Sequence, residues 1–484
     1  MAGGQTVVVS RRRSRRSPSA RGNRPGNDAA SLLAEALGEL DGLARPWAAS
    51  AAFDRIVEDL VDLDGLGPAG DHRAERELSR QLLLVVAGLW ERGWQPVEVH
   101  HVVRRSGDRR ALRLLVAVIA AEPAGCGAAG PLPPRWRQQL QALGIDPPER
   151  PPGPPGPPAG GPAGATEGDG PEGDGPEGDG PAGDAVVLRW RAAERVEITD
   201  SLEVALRVLA QLRALPGLSR IVEPPSRWGA AAATGPGPAL PGEPKHHATI
   251  RALLAKAEST PYPAEAEAFS AKAQELMIRH AVDDAVLAAG AGPGPATAVR
   301  AQRLAVEQPF GAEKVQLLAV VAELNGVEVV WDDEWALATL VGFAGDLDLV
   351  EALFASLLVQ AMRAMDQAVA EASHRRAPAF RRAFLLAYGS RIGQRLDVAR
   401  VRVGREALAH HGAALVPVLA ERREAVRRVA EQLFPDSGPM RTRMVDAEGW
   451  DAGHRAAAAA TLAAPSDPPD GAGPGPAGTP ARRR

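Results

Sequence analysis

The chain has 484 residues, enough for two to four domains, but its 51 glycines and 43 prolines cluster, so part of it is not predicted to fold. Only 4% of the residues are aromatic, and the cores therefore depend on Leu, Val and Ala, which favours packed helices over strand-rich architecture. The net charge of −4 creates no overall demand for an anionic partner, and the single cysteine, Cys126, excludes internal disulfides and multi-cysteine zinc sites.

Residues 1–27 predict a disordered basic arm, because seven arginines stand among Ser, Gly and Pro. Two interpretations remain open for this arm: a solvated tail, or a weak phosphate-binding segment. No apolar segment typical of a secretory signal follows the arginines, and no run of about 18 apolar residues exists for a membrane span. We therefore expect a cytoplasmic protein that does not cross a membrane.

Residues 28–145 predict a helical domain, since apolar side chains recur there at helical spacing. Trp90 and Trp94 stand four residues apart at a predicted helix end, and we interpret them as core packing rather than a ligand site. One predicted helix carries its apolar stripe on Phe53, Ile56, Val57 and Leu60.

Two linkers and an intervening helical segment are predicted next. Residues 146–184 combine a proline-rich run with the acidic repeat EGDGP, which has nothing apolar to bury and predicts a disordered linker. Residues 185–223 predict a helical segment that packs on the N-terminal domain. Residues 224–244, rich in Ala, Gly and Pro, predict a second linker.

Residues 245–289 predict a helical hairpin. Its two amphipathic segments are joined at Pro261-Tyr262-Pro263, where neither proline can donate a helical amide. Lys256 and Lys272, two of only four lysines in the chain, flank the apolar seam. They are either part of a solvated charged rim or a patch that faces phosphate.

Three motifs of this hairpin, "LLAKAEST", "EAEAFSAKAQELM" and "VDDAVL", resemble the bacterial and phage domain of unknown function 2786. His280 departs from that pattern, where an aromatic residue such as tyrosine is expected. The later segments "LVGFAGDLDLVEALFASLLVQA" and "RRAFLLAYGSRIGQRL" resemble the companion domain that accompanies it in actinobacterial members. The resemblance implies domain boundaries, and it implies no established activity or cofactor.

Residues 300–465 predict an α+β domain, followed by a disordered tail over 466–484. "VEVVW", "DDE" and "WALATLVGF" predict a β-hairpin with a three-residue turn, and the remaining segments predict helices. We interpret the acidic cluster Asp332–Glu334 as a solvated turn and Asp346 as a helix-start residue. The fold class is therefore mainly α and multidomain, with one β-hairpin in the C-terminal domain.

A stripe of arginines is the strongest indication in the sequence that the protein binds a partner. Between residues 374 and 444 there are 15 Arg against 6 Asp and Glu, and Arg391, Arg395 and Arg402 recur on one helix face. This stripe either contacts the phosphates of a nucleic acid or pairs with carboxylates of the same chain.

No enzyme motif supports catalysis: the sequence contains no H-E-x-x-H, no Walker A and no G-x-S-x-G. We therefore predict no catalytic residue, metal or cofactor. The sequence predicts a non-enzymatic binding or scaffold protein that associates with nucleic acid through its arginine face. The alternatives are a protein–protein adaptor that pairs with acidic segments and, more weakly, an unrecognised hydrolase; the oligomeric state is not indicated.

Overall fold

A computed structural model describes residue 38 and residues 51–65, 72–122, 132–146, 185–232, 245–291, 298–370, 378–439, 447–459 and 482–483. Of the described residues 76% are helical, in 15 helices, and a small antiparallel sheet of three strands accompanies them. This confirms the mainly α fold class. The predicted arm 1–27, Cys126, residues 147–184 of the predicted linker and nearly all of the tail 466–484 lie outside the described residues.

Eight described helices form the N-terminal part and share one hydrophobic core. The helices of the segment 185–223 bury their apolar faces in that core together with the preceding five. The bounds are α1 Ala51–Gly65, α2 Arg73–Glu91, α3 Pro96–Arg104, α4 Arg109–Ala121, α5 Pro134–Ala142, α6 Val186–Glu194, α7 Ile198–Arg213 and α8 Pro225–Ala232.

Local sequence signals fix the starts of two of these helices. Gln95 and Glu98 form a reciprocal capping box around the first turn of α3, with Pro96 at the position where a missing amide costs nothing. Asp108 caps α4, accepting hydrogen bonds from the amides of Arg110 and Ala111 at 2.8 and 3.1 Å.

Tryptophans in edge-to-face contact pin the N-terminal helices together. Trp90 and Trp94 are both buried, which confirms that they pack in the core. The Trp90 ring centroid lies 5.3 Å from that of Trp136, which in turn lies 5.1 Å from that of Trp228. Trp228 belongs to α8, so the linker prediction for 224–244 is wrong over residues 225–232. The buried Trp228 anchors this short helix, whereas the Ala, Gly and Pro content of the segment had indicated a linker.

The C-terminal part is built from five described helices around the sheet, preceded by the two helices of the hairpin. The hairpin is confirmed, with its second helix starting at Pro263 as predicted. The bounds are α9 Lys245–Ser259, α10 Pro263–Ala291, β1 Val299–Ala305, α11 Gly311–Leu324, β2 Glu328–Asp332, β3 Leu337–Phe343, α12 Ala344–Ala370, α13 Pro378–His411, α14 Leu415–Leu433, β4 Gly438–Pro439, α15 Ala447–Ala459 and β5 Arg482–Arg483.

The sheet places β3 between β1 and β2, both antiparallel to it. The predicted β-hairpin is present as β2 and β3, and every residue of β3 is buried. One face, through Val341 and Phe343, packs on Val426 and Ala430 of α14. The other face packs on α11 and α12. β1 is an unpredicted strand, and the two-residue strands β5 and β4 extend the sheet beyond β2.

The hairpin is not an independent unit. Ile250 and Leu254 of α9 and Ala273 and Met277 of α10 share one core with α11, α12 and α13. The last described helix, α15, packs closely on α13. A side chain at Gly453 would collide with the backbone carbonyl of Phe384, so glycine is required at that contact.

A buried ion pair joins the N-terminal helices to the sheet. The Arg303 guanidinium of β1 donates to both carboxylate oxygens of Glu98 at 2.8 and 3.0 Å, and both side chains are only 3% exposed. The same guanidinium donates to the carbonyl oxygens of Gly93, at 2.9 Å, and of Ser219. The pKa of Glu98 lies above its usual value, because burial raises it more than the charge and hydrogen bonds of Arg303 lower it.

Further contacts surround this ion pair. The Trp94 indole donates to the Pro216 carbonyl at 2.7 Å, and its ring lies edge-on to Trp335 at 5.9 Å between centroids. Arg104 reaches Glu307 at 2.5 Å at the exposed rim. His101 is buried beside these residues, and burial, with the charges of Arg105 and Arg104, lowers its pKa to about 4.

We expect Arg303→Met to destabilise the protein by about 3–5 kcal/mol, because it leaves the Glu98 carboxylate buried without its cation. Arg104→Met, which removes one partner of an exposed pair, is the matched control and should cost less than about 1 kcal/mol. Urea unfolding measures both values. Equal losses of unfolding free energy in the two variants would contradict the dominant role of the buried pair. A double variant, Glu98→Gln/Arg303→Met, that is more stable than Arg303→Met alone would support it.

We expect His101 to make stability depend on pH. The unfolded imidazole binds a proton near pH 6.5 and the folded one only near pH 4, so stability is lost as the pH falls through this window. Between pH 8 and pH 5 the protein should lose about 2 kcal/mol more of its free energy of unfolding than His101→Leu does. The exposed His410→Leu serves as control, and identical pH profiles for the protein and His101→Leu would refute the prediction.

Candidate interaction surface

Helices α10 and α13 lie side by side and run in the same direction, joined by a ladder of ion pairs. Arg395 pairs with Glu267, and seven residues further along α13, Arg402 pairs with Glu275 at 3.0 Å. The Arg395 side chain is half-buried, and burial lowers its pKa. Two of the three arginines of the predicted stripe therefore face carboxylates of the hairpin.

Glu275 is the centre of this ladder. Its carboxylate, 11% exposed, lies 3.0 Å from Arg402, 3.0 Å from Arg279 and 3.2 Å from Lys272. Burial raises the pKa of Glu275, but the hydrogen bonds and charges of Arg402 and Lys272 outweigh burial, so the pKa lies below its usual value. Arg279 and Arg402 also contact Glu406, at 2.7 and 3.3 Å.

The remaining predicted cations lie apart from this network. The Lys256 ammonium sits over the Phe269 ring, 5.8 Å from its centroid, and so makes a cation–π contact. Arg391 donates to the Gln394 side chain at 3.1 Å, and its Nε atom is buried with no hydrogen-bond partner among the described residues. The structure thus brings Lys272 and Arg402 together on one carboxylate, and it gathers neither Lys256 nor Arg391 with them.

An exposed apolar stripe on α13 was not anticipated. Val398, Val401 and Leu408 are 70%, 39% and 42% exposed, and together with Arg405 they recur at spacings of three, four and three residues. Side chains at this spacing form one continuous seam along a helix, as in a coiled coil. The spacing of these residues is visible in the sequence, but buried core residues of a helix recur at the same spacing. Periodicity therefore does not reveal which apolar face is left uncovered.

A cluster of histidines and carboxylates lies at the other end of the hairpin. The rings of His246 and His280 stack with centroids 3.8 Å apart, and His247 packs against Gly345 at the start of α12. The pKa of His280 lies below its usual value, because burial and the neighbouring His246 lower it more than the charges of Asp283 and Asp284 raise it. His280 therefore packs against the other helix of the hairpin, although the sequence alone did not indicate which group it meets.

Asp346 of α12 lies near this cluster and pairs with Arg422 of α14 at 3.1 Å. Burial raises the pKa of Asp346 to about 6, against the charge of Arg422, which lowers it. The Arg422 guanidinium also stacks 3.8 Å above the Phe343 ring. Among the described residues, no group of three or more His, Cys, Asp or Glu has the geometry of a metal site. These polar groups join four helices, α9, α10, α12 and α14.

The hairpin matches a family model. Residues 245–284 match the family model described as Protein of unknown function (DUF2786). The DUF2786 match covers α9 and most of α10, including His246, His280 and Glu275, and it confirms the resemblance to this domain. No curated protein and no solved structure matches the chain. None of the described helices is sufficiently long and apolar to cross a lipid bilayer.

We expect Glu275→Gln to destabilise the protein by about 1 kcal/mol more than Glu77→Gln, because three cations lose their shared carboxylate. Glu77 is the matched control: its side chain is also 11% exposed, and it pairs with Arg80 at 2.6 Å. The excess loss should shrink at 1 M salt, where charges are screened within about 3 Å. Urea unfolding at two salt concentrations measures it, and an equal cost in both variants would exclude a network effect.

Proposed function

We propose that the protein is a non-enzymatic adaptor whose helix α13 docks an acidic amphipathic helix of another protein. The docking seam consists of Val398, Val401, Arg405 and Leu408. The observation that carries this proposal is that the seam is exposed and largely apolar. Two arginines of the same helix, Arg395 and Arg402, are already paired with carboxylates of the chain.

The seam suits a helical partner for geometric reasons. Its three- and four-residue spacing allows knobs of a second helix to insert between its side chains. Val416, 55% exposed, is a further exposed apolar side chain in the first turn of α14, the helix that follows α13. Several apolar side chains exposed together on one surface are more typical of an interaction site than of a solvated face.

The charge of the seam favours an acidic partner protein over a nucleic acid. The seam carries Arg405, and no Asp or Glu stands among its four residues. Arg395 and Arg402, which would otherwise contact phosphates, are paired with Glu267 and Glu275. A partner helix with Leu or Val on one face and Glu beside it would complement both the apolar contacts and the guanidinium.

Nucleic-acid binding is the second candidate. It is favoured by the excess of 15 Arg over 6 Asp and Glu between residues 374 and 444 and by the exposed Arg423 and Arg428 of α14. Such contacts would be made to phosphates, without base specificity, and would weaken steeply with salt.

We further propose that residues 300–465 are the companion domain of actinobacterial DUF2786 proteins, and that this is a bacterial, cytoplasmic protein. The two resembling segments "LVGFAGDLDLVEALFASLLVQA" and "RRAFLLAYGSRIGQRL" support this assignment. The core that α9 and α10 share with α11, α12 and α13 also supports it, because a companion domain is expected to cover the apolar face of the hairpin.

We expect the full chain to bind a synthetic helical peptide that has Leu at its seam positions and Glu at the flanking positions. In fluorescence anisotropy, Val398→Asp/Leu408→Asp should weaken this binding at least tenfold, because two carboxylates would enter the seam. Leu84→Asp, on an exposed leucine of α2, is the matched control and should leave binding unchanged. A peptide with Lys in place of Glu should bind at least tenfold more weakly.

Three outcomes would overturn the adaptor proposal. The acidic peptide could fail to bind the full chain. Sedimentation could show a dimer that Val398→Asp disperses, which would make a second copy the occupant of the seam. DNA or RNA could be retarded by the full chain at low salt and released by Arg423→Gln/Arg428→Gln, which would favour the second candidate; no retardation at low salt would exclude it.

A further inference from the structure

An apolar cleft in the N-terminal part lies apart from the docking seam on α13. It has a volume of about 760 Å³ and is bounded by α3, α4, α6 and the chain that follows α5. Half-buried apolar side chains supply its wall, among them Leu112, Val116 and Ala117 of α4 and Leu143 after α5. Clefts of this size that combine an apolar wall with a few polar groups are typical small-molecule sites. The charges at the rim then decide which class of molecule the cleft suits.

The ionisable side chains that line the cleft give it a net negative rim. Arg113 and Glu194 neutralise each other in an ion pair of 2.7 Å. The imidazole of His100 is neutral at pH 7, because burial and the charge of Arg104 lower its pKa. Asp146 is exposed and forms no ion pair with another described residue. One carboxylate charge is therefore left uncompensated among the described side chains of the cleft.

Two helix C-termini at the cleft add to this negative potential. Helix α5 ends at Ala142, and the next residues, 143–146, line the cleft. Helix α6 ends at Glu194, which also lines it. The carbonyls of a last helical turn carry about half a negative elementary charge, which attracts a cation. The apolar wall, the uncompensated Asp146 and the two helix ends thus favour the same ligand, an apolar molecule with one positive charge.

We propose that this cleft binds a small organic monocation, an apolar aromatic or aliphatic body that carries one ammonium or amidinium group. The body lies against Leu112, Val116 and Leu143, and the positive charge lies beside the carboxylate of Asp146. A neutral molecule gains only the apolar contacts, and an anion is repelled by Asp146 and by the helix C-termini. The cleft and the docking seam lie on different helices, so binding at one can be tested without the other.

The test titrates the full chain with auramine O, a small apolar cation whose fluorescence rises when it is held in an apolar site. The matched anion is anilinonaphthalene sulfonate, a dye of similar size with one negative charge. We expect the cation to bind about tenfold more tightly than the anion. This preference should decrease at 1 M salt, where charges are screened within about 3 Å. Val398→Asp/Leu408→Asp, which alters the exposed apolar seam of α13, should leave the binding of auramine O unchanged.

Variants of the cleft locate the binding site. Asp146→Asn removes the charge of an exposed side chain but keeps its shape, and it should weaken the binding of auramine O about tenfold. Asp59→Asn, at an exposed position of α1, is its control and should have no effect. Ala117→Phe fills the cleft and should weaken the binding of auramine O about tenfold, through lost apolar contact. Ala192→Phe, at an exposed position of α6 outside the wall of the cleft, should leave it unchanged.

A charge reversal keeps the proposal falsifiable if Ala117→Phe does not fold, which circular dichroism establishes. In Asp146→Lys the rim becomes positive, so the anion should bind more tightly than auramine O.

Any of three results would overturn the proposal. Auramine O could bind the full chain no more tightly than the anion does. It could bind Asp146→Asn, or a folded Ala117→Phe, as tightly as the unaltered chain, which would place the dye elsewhere. Finally, the preference for the cation could survive in Asp146→Lys, which would mean that this carboxylate does not select the charge of the ligand.

Discussion

A buried guanidinium is central to the contact between the two parts of the described molecule. Arg303 of β1 reaches the carboxylate of Glu98 and the carbonyls of Gly93 and Ser219, three separate segments of the N-terminal helices. Since a charge removed from water needs compensation from every side, each of these acceptors must be in place before the arginine can be buried. The sheet and the N-terminal helices are therefore mutually dependent, and this polar contact adds to the apolar packing of β1 through Leu304 and Ala305.

The ladder between α10 and α13 shows why a local excess of charge is a poor guide to a partner. Counted along the sequence, the arginines of α13 stand out, because their acceptors lie more than a hundred residues earlier. In the fold, Glu267 and Glu275 neutralise Arg395 and Arg402. Among the exposed side chains of α13 are Val398, Val401, Arg405 and Leu408, the seam that we propose as a docking surface for a protein.

Periodicity and turn chemistry were sufficient to predict the helices, the Pro263 restart and the β2–β3 hairpin, since each depends on neighbouring residues. Strand β1 could not be predicted in this way, because Arg303 is buried only through a partner two hundred residues distant. Helix α8 depends on the contact of Trp228 with Trp136, which is also non-local. For the candidate site, the sequence identified the stripe of cations but not their acceptors, and it gave no indication of which apolar face of α13 is left uncovered.

The parallel alignment of α10 and α13 has a consequence for how the chain folds. Parallel neighbours cannot be joined by a tight turn, and here β1, α11, β2, β3 and α12 all lie between them in the sequence. The contacts of the DUF2786 hairpin are thus of high sequence separation, and loop-closure entropy must be overcome before they form. During synthesis the hairpin leaves the ribosome with Ile250 and Met277 uncovered, and it completes its core only after α13 has emerged. The segment that matches the DUF2786 model is therefore not a folding unit by itself.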